Sequence, residues 1–293
     1  MELRHLRYFV TLAEELHFRR AAERLHIAQP PLSQQIRQLE TELGFQLLYR
    51  TKRTVQLTEA GEAFLTQSRR ILQQLEQAIE IGRQISRGEM GQLAIGFVSS
   101  AAYNVLPGIL RAFRTCFPEV VLELHELTSD RQLQWLRERR IDVGFVRPPV
   151  EDEAFSSEIV FQEPLMVALP ETHPLAQAAQ VSLRSLSHQP LILFPRSLAP
   201  GLYDQIISLC QQADFSPTVA QEAIQMQTIV SLVAAEMGIA IVPASLQNLQ
   251  RTGVVYKAVR EPTPKVAIAS IWRQEDLSAT VQRFLEIARQ VPQ

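Results

Sequence analysis

Apolar positions along the chain change their period twice, and each change marks a new kind of element. Near the start Leu6, Phe9, Val10, Ala13 and Leu16 recur at helical spacing. Two more stripes follow around a short turn. Ala21, Ala22 and Leu25 fall on one face of a helix, and Leu32, Ile36, Leu39 and Leu43 line one face of a second helix over residues 30 to 43. The doubled Pro30-Pro31 suits the start of that second helix, because the first helical N–H groups have no partner within the helix, and it turns the chain sharply. Gly44, tolerant of positive φ, ends it. Gln46-Leu47-Leu48-Tyr49 and Thr54-Val55-Gln56-Leu57 then read as strands flanking a tip of Arg50, Thr51, Lys52 and Arg53, which makes a winged hairpin.

From Thr58 to about Arg87 no proline interrupts the chain. Phe64, Ser68, Ile71, Leu75, Ala78, Gly82 and Ile85 alternate steps of four and three, the period of a coiled-coil seam. Thr58 supplies a cap and Glu59 a favourable first-turn charge. The seam predicts a homodimer through residues 58–87, which would set two recognition helices roughly 34 Å apart on one face of DNA. Packing against the chain's own later domain is the alternative; small Ser68, Ala78 and Gly82 favour close helix approach and hence the dimer. Arg87-Gly88-Glu89-Met90-Gly91 reads as a hinge.

Beyond Gly91 the spacing becomes that of buried strands alternating with helices. Leu93 to Val98, Val120 to Leu127 and Ile141 to Val146 are strands, separated by helices over 104–116 and 130–140, so a parallel sheet covered on both faces is expected. The pattern repeats with strands at Leu191 to Phe194, Ile239 to Val242 and Val254 to Val259 and helices near 202–213 and 225–237. Glu163 to Leu169 and Lys265 to Trp272 look like long crossing strands, and a helix over 277–290 closes the chain. Two α/β lobes joined by two crossings enclose a cleft. The chain is therefore expected to be an α+β multidomain protein: a winged helix-turn-helix over 1–58, a linker helix and hinge over 59–90, and a two-lobed domain over 91–293. Lobe I takes about 91–161 and 268–293, and lobe II about 162–267.

The exposed face of the 30–43 helix carries Ser33, Gln34, Arg37 and Gln38, side chains able to hydrogen-bond base edges, with no acidic residue before Glu40. A lone arginine at a surface is ordinarily a solvated charge. Here the polar helix face, the prolines and the basic tip occur together, as entry into the major groove with backbone contact from a wing requires. The overall charge of −2 hides an asymmetry: residues 1–70 hold eleven Arg/Lys against eight Asp/Glu, or +3, leaving −5 for the remainder. A modestly positive head on a mildly acidic body fits a local DNA contact.

The order Ala21-Ala22 to Leu25, Gln29-Pro30-Pro31-Leu32-Ser33-Gln34-Gln35-Ile36 to Gly44, Leu47-Leu48-Tyr49-Arg50 to Arg53, and Leu57-Thr58 to Gly61 resembles the LysR-type transcriptional regulators. The resemblance implies DNA contacts from Gln29, Pro30, Pro31, Ser33, Gln34 and Arg37, with Arg50 and Arg53 on the wing. At Arg19 many members have a Ser or Thr that caps the first helix of the motif, so a cap worth about 1 kcal/mol is unassigned here. It also implies a periplasmic-binding-protein-like effector domain. Gly96-Phe97-Val98-Ser99-Ser100, Ile141-Asp142-Val143-Gly144-Phe145 and Leu165-Met166-Val167-Ala168-Leu169-Pro170 are similar to members that sense aromatic-catabolic acids or control acetoin synthesis. The partners expected are double-stranded promoter DNA, a small-molecule effector, RNA polymerase and further copies of the chain, as a homodimer and then a homotetramer, with no membrane.

In open α/β sheets ligands sit beyond the carboxyl ends of strands. Those ends carry Ser99-Ser100, Thr128-Ser129 and Arg147 in the first lobe. In the second they carry Pro195 to Tyr203, with Gly201, Leu202 and Tyr203 as candidate contacts, and Pro243-Ala244-Ser245. Hydroxyls and free N–H groups at helix starts favour a carboxylate, and Arg147 could add a charge-assisted bond, so a small organic acid co-inducer is expected and no other cofactor. The plainer reading makes each Ser or Thr a helix cap only.

An enzyme and a transport-type binding protein are the competing classes. No base is visibly placed beside Ser99 or Ser100, and His5, His17, His26, His125, His173 and His188 show no H-E-x-x-H or other metal spacing. Neither G-x-G-x-x-G nor a Walker loop is found. The charged, amphipathic start MELRHLRYFV is no export signal, and no run of 18 or more apolar residues could span a bilayer, so a cytoplasmic location is expected. Cys116 and Cys210, far apart and outside any C-x-x-C, read as buried small apolar side chains.

Overall fold

The computed structural model describes residues 1–50, 54–150, 152–275 and 277–291. The chain divides into two compact units, Met1–Gln84 and Ile85–Gln293. In the first, α1 (Leu3–Glu15) buries Leu6, Phe9, Leu12 and Ala13, and Leu16 is its exposed left-handed C-cap. Helix α2 (Phe18–Arg24) is capped by His17, whose imidazole accepts the Arg20 N–H at 3.3 Å, so the cap unassigned at Arg19 comes from two residues earlier. Helix α3 (Gln29–Leu43) follows Ala28, which offers no side-chain acceptor; Pro30 and Pro31 instead remove two of the donors that would need one. Gly44 closes α3 at φ 78°, its N–H donating to Glu40 O at 3.0 Å. Strands β1 (Leu48–Arg50) and β2 (Val55–Leu57) pair antiparallel, Leu48 opposite Leu57. Phe9, Leu12, Ala21, Leu32, Ile36, Leu39 and Leu47 form one sealed core.

Helix α4 (Glu59–Ser86) is seated by Thr58. The Thr58 N–H donates to Leu47 O at 3.0 Å, its hydroxyl donates to Gln46 O at 2.8 Å, and the same oxygen accepts the Gly61 N–H at 2.9 Å. Gly61 is required there: a Cβ would lie 2.1 Å from Leu47 O. The first part of the predicted seam turns inward, since Phe64 packs on Phe9 and Phe45 and Ser68 is wholly buried. From Ile71 onward the seam positions face outward: Ile71, Ala78, Gly82 and Ile85 are exposed and Leu75 is half-buried, while the exposed Ile79 and Ile81 lie to either side of that line. Among the described residues no helix is long and apolar enough to cross a membrane.

The second unit holds, in order, β3 (Met90–Phe97), α5 (Ser99–Ala102), α6 (Val105–Cys116), β4 (Glu119–Glu126), α7 (Ser129–Arg137), β5 (Val143–Val146), β6 (Phe155–Glu163), β7 (Leu165–Pro170), β8 (Gln180–Val181), β9 (Pro190–Leu193), α8 (Pro200–Gln212), β10 (Thr218–Glu222), α9 (Met226–Ala234), β11 (Ala240–Pro243), β12 (Val254–Val259), β13 (Val266–Arg273) and α10 (Ala279–Gln290). One sheet has the order β4-β3-β5-β13-β6, with β4, β3 and β5 parallel and β13 antiparallel to both its neighbours. Leu93, Ile95, Val143 and Phe145 face α6 and α10, whereas Leu136 of α7 packs on Val146 and Ile271 on the opposite face. The other lobe has the order β11-β7-β12-β8 beside the parallel pair β10-β9, joined to β11 through the Leu191–Ile239 bridge.

Two differences from the expected elements have local causes. The crossing expected over Glu163 to Leu169 is two strands, because Pro164, with no N–H and a fixed φ, ends β6 at Glu163 and β7 starts at Leu165. Strand β6 itself escapes a period-two reading because the register slips between Ile268 and Ala269: Phe161 and Ile159 face them, Val160 is the extra residue, and the alternation changes phase there.

Candidate functional site

In the first unit the outer face of α3 presents Gln29, Pro30, Pro31, Gln34 and Arg37 as exposed residues and Ser33 as half-exposed. The side chains of Gln29, Ser33, Gln34 and Arg37 enter none of the hydrogen bonds or ion pairs formed among the described residues, and they face solvent. Cations behind this face are already engaged: Arg24 bridges Glu14 and Glu15, Arg20 meets Glu15 at 2.7 Å, and Arg69 meets Glu14 at 2.9 Å. The Arg69 hydrogen bond holds the Glu14 carboxyl below its ordinary range.

Arg50 stands apart from the other expected contacts. Its guanidinium is paired with the Glu40 carboxylate and stacks over Phe18 at 5.4 Å. Glu40 also accepts the N–H groups of Leu47 (2.9 Å) and Leu48 (3.2 Å), so this pair fastens the first wing strand to α3. Arg50 is thus committed inside the unit rather than presented as a free cation. The tip residues Thr51, Lys52 and Arg53 lie outside the described residues.

In the second unit one cleft, enclosing about 520 Å³ of space that includes its mouth, gathers the strand-end residues. Ser99, Ser100, Thr128, Ser129, Arg147 and Leu202 all line it. Helices α5, α7 and α9 begin there, and none of the three has a side-chain cap: Val98, Thr128 and Gln225 are extended residues whose side chains make no capping bond. The plainer reading of these hydroxyls as caps therefore fails for Thr128. The Ser129 hydroxyl instead accepts the Arg147 N–H at 3.1 Å. Uncapped first-turn N–H groups together with the positive ends of the helix dipoles favour a negative group in the cleft. The opposite wall is apolar, with Phe194, Leu198, Leu202, Ile224 and Met226. A Ser99 hydrogen bond reaches the Tyr103 side chain, whose pKa is raised first by burial and then by the Glu126 carboxylate.

The remaining expected contacts are placed differently. Gly201 packs on the Pro148-Pro149 segment, where a Cβ would lie 2.7 Å from Pro148 O, and Tyr203 stacks edge-on against Phe194 at 6.2 Å; neither lines the cleft. Arg147 lines it while its guanidinium turns away, donating to Ala267 O at 3.1 Å and facing Glu163 at 3.5 Å. Burial lowers the Arg147 pKa and Glu163 opposes that shift. Sequence reasoning missed Glu126, Phe194 and the turn Ile224-Gln225-Met226. Phe194 and Met226 look like ordinary core positions in sequence, and only the start of α9 behind Gln225 hinted at the turn. Ser245, the other second-lobe candidate, is buried and bonded to Glu163 at 2.6 Å through its N–H.

Residues 3–62 match the family described as bacterial regulatory helix-turn-helix protein, lysR family, and residues 86–293 match the LysR substrate binding domain. The chain belongs to the LysR family of transcriptional regulators. This LysR regulator is 42% identical over 288 residues to the HTH-type transcriptional regulator AlsR of Bacillus subtilis (strain 168), an alignment covering 98% of this chain and 95% of AlsR. Full-length CbnR complexed with its target DNA is 32% identical, with a TM-score of 0.86 over 99% of each chain. The BenM effector binding domain with its effector benzoate is 32% identical, with a TM-score of 0.62 over 69% of this chain and 91% of that domain. The LysR regulator is accordingly a DNA-binding transcriptional regulator with an effector-binding half, and neither the enzyme nor the transport-type alternative describes it.

Proposed function

We propose that this regulator binds a promoter through Gln29, Pro30, Pro31, Ser33, Gln34 and Arg37, and is switched by a small organic carboxylate in the cleft. The carboxylate meets the starts of α5 and α7 beside Ser99, Ser100, Thr128 and Ser129, while its carbon skeleton lies on Phe194, Leu198, Leu202 and Ile224. The observation that carries this reading is the polarity of the cleft: the uncapped starts of α5 and α7 with their hydroxyls on one wall, and a mainly apolar wall, at which the uncapped α9 begins, on the other. Benzoate, which BenM takes as its effector, has that polarity. Gly201 and Tyr203 support the apolar wall from behind rather than touching the ligand.

Ile71, Leu75, Ala78, Gly82 and Ile85 of α4 form the homodimer seam, with a homotetramer as the assembled form. Effector binding changes the lobe arrangement and, through α4, the promoter output read by RNA polymerase. The protein works in the cytoplasm, where promoter DNA is found. Melting of the full-length chain with sodium benzoate or sodium acetate, against Ser100→Ala and Ser129→Ala variants, tests the effector reading. A concentration-dependent rise in Tm that the variants lose is expected, with operator binding intact. No rise with any small carboxylate removes the class.

A further inference from the structure

Gln132 lies on α7 with no exposed surface, a buried amide packed against the sheet. Its Nε2 donates to Leu127 O at 3.0 Å and to Phe145 O at 3.0 Å. Room for it comes from two glycines paired directly across β3 and β5, Gly96 and Gly144. A Cβ on Gly144 would lie 2.8 Å from the Gln132 Oε1, and one on Gly96 would lie 3.0 Å from its Cγ. The paired glycines form a notch that the side chain fills.

Both carbonyls lead into the cleft. Leu127 immediately precedes Thr128 and Ser129, and Phe145 stands two residues before Arg147. Phe145 O also accepts the Val98 N–H at 3.0 Å, and the Leu127 N–H donates to Phe97 O at 2.9 Å. One amide thus ties the end of β4 to the end of β5, and backbone hydrogen bonds join both to the end of β3, where the three polar stretches of the cleft begin. Its own Oε1 is buried with no hydrogen-bond partner, an energetic cost that an apolar side chain of similar length would avoid. Packing alone does not call for glutamine at this position; holding two carbonyls from different strand ends does.

We propose that Gln132 is a positioning residue of the effector response, setting the Thr128–Ser129 turn and the Arg147 backbone at the spacing a ligand requires. The proposal rests on the reading of the cleft as the effector site. Gln132→Met keeps the length and removes the donor, and Gln132→Ala is a second variant should the first repack. Amide hydrogen exchange on the ligand-free full-length chain should rise about ten-fold in segments 96–101, 126–131 and 144–149, with β7 and β12 unchanged. Apparent affinity for sodium benzoate, read from the melting shift, should fall by about ten-fold or more while operator affinity stays constant. Unchanged exchange at the three turns, or a uniform rise across the second unit with benzoate affinity unaltered, overturns the proposal. Should the parent chain not bind benzoate, the exchange measurement alone decides the clamp, and the carboxylate reading is what falls.

Discussion

Glu163, facing Arg147 at 3.5 Å, is where the two lobes share one buried carboxylate. It accepts the Ser245 N–H at 2.6 Å and the Ser245 hydroxyl at 3.1 Å from lobe II, and the Asn104 side chain at 3.3 Å from the start of α6 in lobe I. The side chains of the ion pair are 5% and 4% exposed, so neither charge can fall back on water. A carboxylate with this many donors is well satisfied. The guanidinium opposite, with Nε unpartnered, depends on it.

Glu163→Gln should therefore destabilise the effector half by about 3–5 kcal/mol, since it leaves a buried cation without a countercharge. The double variant Arg147→Met/Glu163→Gln should lose clearly less than the sum of the two single losses, because the cation goes with its partner. Denaturant unfolding of the three proteins checks this. Strict additivity would show that the two groups do not interact energetically.

Gln34 is exposed on α3 with an amide bonded to nothing else among the described residues, the arrangement needed for paired donor and acceptor contact with a base edge. Gln34→Ala should cost about 1–3 kcal/mol on the cognate operator and little on random duplex. Competition binding at fixed ionic strength separates the two. An equal loss on both sequences argues for a backbone contact instead.

Arg50 leads to the opposite expectation. Its pairing with Glu40, and the two N–H groups that Glu40 accepts, make it a fastener of the wing. Arg50→Ala should lower the melting temperature of the head while leaving the salt dependence of DNA binding nearly unchanged, and Glu40→Gln should do the same. A free phosphate contact would instead reduce the slope of log K against log salt by about one. Lys would not replace Arg50 well, since stacking on Phe18 and pairing with a carboxylate together suit a planar guanidinium.

What was readable in advance depended on how local the cause was. The α3 start at Pro30-Pro31, the Gly44 stop and the paired apolar stripes are set by neighbours a few residues away, so periodicity and turn chemistry find them. Ser99, Thr128 and Arg147 were found because a strand-end rule places them, even though the rule does not say where a side chain points. Arg147 shows the difference: its backbone borders the cleft, and its charge is turned to Glu163, sixteen residues on at the end of β6. Gly201 and Tyr203 were assigned to the cleft by proximity in sequence, but one is held against Pro148 and the other against Phe194. Ile224, Gln225 and Met226 reach the cleft only through the packing of the second lobe. Seam positions Phe64 and Ser68 obey the coiled-coil period yet serve the head's own core, because the first turns of α4 cover Phe9.

The two thiols offer a pH test of burial. Cys116 is exposed and Cys210 is buried, so the expectation that both are buried holds for one of them. Desolvation pushes the Cys210 thiol from an ordinary 9.0 up to about 11. In the native chain at pH 8 a thiol reagent should therefore label Cys116 alone, and Cys210 should react only after denaturation. The sign of the linkage follows from the raised value. Below pH 9 both folded and unfolded Cys210 are protonated and stability is independent of pH through this group. Between 9 and about 11 the unfolded thiol ionises while the folded one does not, so stability falls as pH rises. Cys210→Ala should flatten that part of the stability curve relative to the parent, whatever its effect at pH 8. Rapid labelling of Cys210 in the native chain at pH 8, or identical slopes for the two proteins between pH 8 and 10, would mean that α8 opens around this thiol far more readily than its packing indicates.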